Sequence, residues 1–205
     1  MGVRLLYLAR HGEQDGGSAD GALSARGRRQ ATLLGERLRG VPLRAVHHGP
    51  LRRAGETAAL VAGSLPGVPV YATELAGDHL PHDTDPTGLP GAYAELLAGF
   101  AARERIDGPR RTAEAVARFA VASAEAPADV VVRELVITHN FLIAWLIRHA
   151  LEAPVHRWLG LNLQHCALTV IRYAAAGPPN LITVNDVAHL PADLRGTGLP
   201  PEYRV

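Results

Sequence analysis

Val3-Arg4-Leu5-Leu6-Tyr7-Leu8-Ala9 runs into Arg10-His11-Gly12-Glu13, and this stretch decides the fold. The apolar run reads as a buried strand, and it stops abruptly at an Arg, a His and a Gly. In open α/β sheets, reacting groups stand just beyond the carboxyl ends of strands. His11 therefore falls where a nucleophile is expected. Arg10 brings a planar, permanently charged fork suited to phosphate. Gly12 is expected to let the backbone turn and approach a ligand closely.

A second strand ends in the same way. Arg133-Glu134-Leu135-Val136-Ile137 leads to Thr138-His139-Asn140, then to the apolar helix beginning Phe141-Leu142-Ile143. Alone, a His at a strand end usually means a polar cap or a solvated loop. Two such strands that neighbour each other in a parallel sheet would bring both histidines to one site.

The third piece is Val46-His47-His48-Gly49-Pro50-Leu51-Arg52-Arg53-Ala54. Leu43 to His48 reads as a short strand. Pro50 suits the first turn of a helix, and Leu51, Ala54, Ala58 and Val61 recur at helical spacing. Arg52 and Arg53 then lie in the first turn, at the positive end of the helix dipole. Either is a candidate anion ligand; the alternative is a solvated surface arginine.

Together these pieces resemble the histidine phosphatase superfamily, also called phosphoglycerate mutase-like. The similarity rests on Arg10-His11-Gly12-Glu13, Leu23-Ser24-Ala25-Arg26-Gly27, Pro50-Leu51-Arg52-Arg53-Ala54 with Thr57-Ala58, and Thr138-His139, in the family's order. The resemblance implies a three-layer α/β sandwich with a mostly parallel sheet. It implies a phosphohistidine on His11 and a clamp of Arg10, Arg53 and His139. It selects Arg53, the Arg before the Ala, over Arg52. Gly12, Glu13, Ser24, Asn140 and His79 are further expected substrate contacts. It implies a phosphomonoesterase that needs neither metal nor cofactor. A cofactor-dependent mutase and a noncatalytic phospho-ligand module are the alternatives.

Three departures stand out. Asn140 replaces the frequent Gly after the second His, to contact substrate or cap the helix. Gly49 replaces a frequent Ser. Gly16-Gly17-Ser18 occupies the place of a mutase-type Asn. The proton donor is expected after the third strand, Val68 to Ala72. Asp78-His79-Leu80-Pro81 resembles the Glu-Gly-x-Pro stretch of a branch related to a mitochondrial protein phosphatase, which favours Asp78. Glu74 is the competing acid, and His79 a possible participant.

Composition fits a plain globular enzyme. The 205 residues carry 21 basic and 20 acidic side chains, net +1. Such balance gives no reason to expect nucleic acid or an anionic membrane as partner. A phosphorylated small molecule or phosphopeptide is the expected partner. Every basic residue is Arg. Without Lys there is no Schiff base and no Walker-type loop. The single Cys166 excludes an internal disulfide and a Cys zinc cluster. His47 and His48 lack a carboxylate cluster at metal-ligand spacing. The start lacks a signal-peptide pattern, and the expected location is cytoplasmic.

The pattern of elements predicts one domain over 1–205, with a substrate-capping insertion near 77–128. Strands are expected at 3–9, 43–48, 68–72 and 133–138, with a terminal hairpin at 167–173 and 181–185. Helices are expected at 24–39, 51–63, 92–104, 110–124 and 140–150. The tail from Pro191 to Val205 is expected to cross the surface.

Overall fold

The computed structural model describes residues 1–16, 20–196 and 198. Six strands form one sheet: β1 (Val3–Arg10), β2 (Ala45–His48), β3 (Val70–Ala72), β4 (Val131–Thr138), β5 (Leu168–Tyr173) and β6 (Asn180–Asp186). Five helices accompany them: α1 (Ala25–Leu38), α2 (Arg52–Ala62), α3 (Gly91–Ala98), α4 (Ala102–Phe119) and α5 (Asn140–Ala150). The strand order is β3-β2-β4-β1-β5-β6. The first four strands are parallel, and β5 and β6 close the sheet as an antiparallel hairpin. The expected mostly parallel α/β sandwich is the observed architecture.

Alternation along β1 builds the layers, because successive side chains face opposite sides of a sheet. Leu5, Tyr7 and Ala9 pack with α1 and α2 residues such as Leu34 and Val61. Leu6 and Leu8 pack on the other face with Phe119 of α4 and Ile143 of α5. β4 repeats the pattern through Leu135 and Ile137 on one side and Val136 on the other. Both strands are buried on both faces, which is why they read as apolar runs.

The chain-direction ends of β1, β2 and β4 meet at one edge. Arg10 is paired with Thr138, and His48 with Ile137. The ladder continues past the strands, with the His11 N–H donating to the Thr138 carbonyl at 2.9 Å. This register puts His11 beside His139.

At the opposite edge, Glu134 is buried against two arginines and a histidine. Arg4 lies 3.0 Å from it, Arg118 of α4 3.1 Å and His47 3.4 Å. Together they hold the Glu134 pKa down at about 2, against a burial effect that pushes the other way. The cluster fastens α4 to the sheet. His47 also stacks on Tyr71.

The helical boundaries near 100 differ from expectation. The sequence pattern places two helices at 92–104 and 110–124. Instead α3 ends at Ala98, before Gly99, and α4 runs through Pro109 to Phe119. Proline inside a helix removes a backbone donor and costs about 3 kcal/mol or more. Packing overrides that cost here. Gly108 lies so close to Leu80 that an added Cβ would stand 2.6 Å from the Leu80 carbonyl oxygen. A second adjustment concerns Pro50. It precedes the N-cap residue Leu51, so it sits just outside α2 rather than in its first turn.

Candidate active site

Five side chains converge at the shared strand edge. His11 and His139 come from the ends of β1 and β4, with ring centroids 4.9 Å apart. Arg53, the second residue of α2, reaches both: Nε donates to His11 Nε2 at 3.1 Å and Nη2 approaches His139 Nδ1 at 3.2 Å. Arg53 Nη2 also donates to Asp78 Oδ2 at 2.9 Å. Arg10 reaches the same pocket, steadied by a bond from Nη1 to the Leu163 carbonyl at 2.6 Å. The pocket holds about 350 Å³ and is bordered by all five.

The tautomer of His11 follows from its partners. Nδ1 lies 2.7 Å from the Gly12 carbonyl oxygen, which accepts only a proton donor. Nδ1 therefore carries the hydrogen, and Nε2 presents a lone pair toward Arg53. Burial, reinforced by His139 and Arg10, pushes the His11 pKa well below 6.5. His139 is shifted the same way by burial, Arg53 and Arg10. Both rings are neutral at neutral pH. Burial lowers Arg10 to about 10, which leaves it cationic.

Asp78 enters from the loop after β3. The Thr138 hydroxyl anchors that loop by donating to the Ala76 carbonyl at 2.7 Å. A third of the Asp78 side chain stays open at the pocket mouth. Even so, the surrounding protein raises its pKa above 3.8, outweighing the opposing pull of Arg53 and Arg10. Glu74 lies elsewhere: it is largely exposed and pairs with Arg111 at 2.7 Å. Of the two competing acids, only Asp78 reaches the histidines.

The remaining expected contacts divide. Glu13 borders the pocket, but its carboxylate accepts from the Ser24 hydroxyl at 2.9 Å and from Arg26 at 3.3 Å. Ser24 is not a pocket residue. It caps α1 by accepting from the Gly27 N–H at 3.0 Å. The close approach at Gly12 is to the chain rather than to a ligand. An added Cβ there would stand 2.6 Å from the Gly27 carbonyl oxygen. Asn140 borders the pocket, yet its amide bridges backbone: Nδ2 donates to the Leu161 carbonyl and Oδ1 accepts from the Leu163 N–H. It neither caps α5 nor points its carbonyl at the pocket. His79 turns away from the clamp, with Nδ1 3.8 Å from Glu104 and Nε2 against the Glu74 carbonyl. Arg52 is mostly exposed and pairs with Glu56 at 2.8 Å.

The sequence reading missed His165. It borders the same pocket, is 5 % exposed, and its ring centroid lies 5.6 Å from that of His11. It stands just before the antiparallel β5, with only Cys166 and Ala167 between them. An antiparallel strand brings its start, not its end, to the edge where parallel strands finish. That geometry was the available signal.

A roomier hollow of about 420 Å³ opens at the other ends of the strands, around Arg4, His47 and Glu134. Its buried charges are bonded to one another, as described above, and none of the five converging side chains borders it. The stretch Gly17–Ser18, compared with mutases above, lies outside the described residues, as does most of the tail beyond Gly196.

The family model described as histidine phosphatase superfamily (branch 1) matches residues 6–187. The chain belongs to that superfamily. Among curated histidine phosphatases, the mitochondrial serine/threonine-protein phosphatase PGAM5 of Mus musculus is 30 % identical over 196 residues. That match takes in 93 % of this chain and 65 % of the mouse protein, so the chain spans less than two thirds of the relative's length. The Caenorhabditis elegans counterpart is 27 % identical, with 92 % and 65 % covered. Among solved structures, Bacillus stearothermophilus YhfR is 26 % identical with a TM-score of 0.67, covering 91 % of this chain and 98 % of that one. A mycobacterial glucosyl-3-phosphoglycerate phosphatase is 25 % identical with a TM-score of 0.63, covering 89 % and 99 %.

Proposed function

We propose that this histidine phosphatase hydrolyses phosphomonoesters through a phosphohistidine on His11. The observation that carries the reading is the lone pair of His11 Nε2, held by the Nδ1–Gly12 bond and flanked by Arg10, Arg53 and His139. In the first step the Arg53 Nε–H turns its hydrogen bond from His11 Nε2 to a phosphoryl oxygen, the freed lone pair attacks phosphorus, and the ester P–O bond breaks. Arg10, Arg53 and His139 surround the equatorial oxygens and stabilise the charge that accumulates there. Asp78, whose pKa is raised by burial, is the group that in its acid form gives a proton to the leaving oxygen. In the second step the Asp78 carboxylate takes a proton from water. The water oxygen attacks phosphorus, the P–N bond breaks, and phosphate leaves with both side chains restored.

The substrate class in this reading is a phosphorylated metabolite or a phosphopeptide. The printed name of the mouse relative, a serine/threonine-protein phosphatase, supports including phosphopeptides in the screen. We assign its choice to an insertion spanning about 77–128 within one domain. Leu80 and Leu97 of that stretch pack with Ala144 and Trp158 in a small core of their own, which supports a cap built beside the pocket. The reading includes a cytoplasmic location, tested by fractionating expressing cells against compartment markers.

The direct test is hydrolysis of p-nitrophenyl phosphate beside 3-phosphoglycerate mutation. Hydrolysis without mutation, with acid-labile label on a histidine, supports the phosphatase. Mutation supports the mutase alternative. Phosphate-ester binding without either reaction leaves a noncatalytic module.

A further inference from the structure

We infer that His165 is a fourth phosphoryl ligand, a neutral N–H donor to a nonbridging oxygen of the group held on His11. The inference rests on the reading of this pocket as a phosphoryl site and adds a residue to it. Three observations carry it.

The first is placement. His165 borders the pocket with Arg10, His11, Arg53 and His139, is almost fully buried, and has no ion-pair partner of its own among the described residues. Its ring is tilted 48° to that of His11 at 5.6 Å. A ring stack would be flatter, and a core histidine would have its nitrogens bonded.

The second is an unmatched hydrogen-bonding group. His165 Nδ1 is buried with no partner. A buried N–H without an acceptor is rarer than an under-used acceptor. Nδ1 is thus the bare nitrogen and Nε2 carries the hydrogen. The Nε2 edge runs beside Gly198, which also borders the pocket. A Gly198 Cβ would stand 3.5 Å from Cε1 and 4.0 Å from Nε2. The Nε2 edge thus lies beside a residue that lines the pocket, where a phosphoryl ligand would bring acceptor oxygens.

The third is backbone cost. Cys166 adopts φ 54°, a left-handed conformation that is uncommon for a residue other than glycine. Two bonds hold the kink: His165 N–H to the Gly196 carbonyl at 2.8 Å and Cys166 N–H to the Arg10 carbonyl at 3.0 Å. The second ties the kink directly to the residue before the nucleophile. Strain of this kind collects where a side chain must be aimed. A neutral donor also suits the place. Arg10 and Arg53 already supply positive charge, and burial beside Arg10 and His11 holds the His165 pKa down to about 2.

The experiment measures orthovanadate and inorganic phosphate binding by calorimetry in the full chain, together with p-nitrophenyl phosphate turnover. Gln places an amide N–H near the position of the imidazole Nε2, while Leu fills similar space without a donor. His165→Leu is expected to weaken vanadate binding and lower kcat by about 10- to 100-fold, the worth of one hydrogen bond to a charged oxygen. His165→Gln is expected to recover most of both. A purely structural role would not separate the two variants. Vanadate affinity unchanged in His165→Leu, or Gln as poor as Leu, overturns the inference; if Leu does not fold, Gln decides against the wild type. Wild type that binds vanadate but forms no phosphohistidine overturns the proposed reaction and leaves His165 to be judged by the binding ratio. Wild type that binds neither anion overturns the phosphoryl site itself, and His165 with it.

Discussion

Arg53 donates from Nε to His11 Nε2, the nitrogen assigned to the attack in the proposed reaction, at 3.1 Å. This contact exists only while His11 Nε2 is unprotonated. It holds the ring at one tilt and keeps the lone pair inside the pocket. The same guanidinium touches Asp78 at 2.9 Å, so nucleophile and acid share one cation.

His11→Ala should abolish turnover and leave the fold intact, because the ring projects from the end of β1 rather than into either apolar layer. Rapid quenching of wild type without acid should trap phosphate on His11. Label on Cys166 is not expected, since complete burial pushes that thiol far above its ordinary pKa. Phosphate found on Cys166 or on a serine would sink the mechanism.

Arg53→Ala should lower kcat/KM by on the order of 10² or more, as the loss of a transition-state donor does. Arg52→Ala should cost little, since its ion pair with Glu56 is exposed and such pairs are worth about 0–1 kcal/mol. Arg53→Lys should also be poor, because Lys lacks the fork that reaches His11, His139 and Asp78 together. Similar small losses at 52 and 53 would contradict the clamp.

Asp78→Asn should slow hydrolysis of an alkyl phosphate far more than that of p-nitrophenyl phosphate, whose leaving group needs little protonation. In wild type, alkyl phosphate hydrolysis should decline as pH rises through the raised Asp78 pKa, because the acid form is lost. The variant should lack that limb. Glu74→Gln, which touches only Arg111 at the surface, should alter neither substrate's rate by more than about twofold. Leaving-group dependence that appears in Glu74→Gln instead would exchange the two roles.

Acid should destabilise the protein before its carboxylates titrate. His11, His139 and His165 all have folded pKa values depressed by burial, that of His165 to about 2. In the unfolded chain each takes up a proton near 6.5. Unfolding below that pH therefore binds protons, and stability is full above about 6.5 and falls as pH drops toward the folded values. Asp78 works in the opposite sense, since its raised pKa favours the fold only while it is protonated. One carboxyl opposes three imidazoles. Calorimetry should show Tm falling from pH 7 to 5, with a shallower slope in His165→Gln; a flat Tm across that interval would refute the account.

Ser24→Ala should cost about 1 kcal/mol of stability, the usual worth of an N-cap. Its KM should match wild type. A large rise in KM with unchanged Tm would return Ser24 to the list of substrate contacts.

The legible part of this chain is the part that depends on local pattern. The apolar runs of β1 and β4, both ending in His, announced two-sided burial and a shared edge, and their pairing followed. Arg53 required more, since helical spacing alone left it level with Arg52; the family pattern separated them. What escaped depended on contacts distant in sequence. Pro109 reads as a helix break until Gly108 is seen packed on Leu80. Ser24 and His79 lie in promising motifs, but one spends its hydroxyl on the α1 terminus and the other turns toward Glu104. His165 lies before a strand, where a search of strand ends does not look.

The position of β1 between β4 and β5 has a consequence for synthesis. His11 precedes its partners in the chain, and its strand has no partner on either side until residues 131–173 have left the ribosome. His139 and His165 arrive with those strands, and the Gln30 amide bond to the Leu194 carbonyl comes later still. Until those strands are made, a nascent chain carries His11 with no second imidazole fixed beside it. In the proposed reaction the clamp is complete only when the sheet closes, so a nascent chain lacking β4 and β5 is not expected to act on phosphoesters.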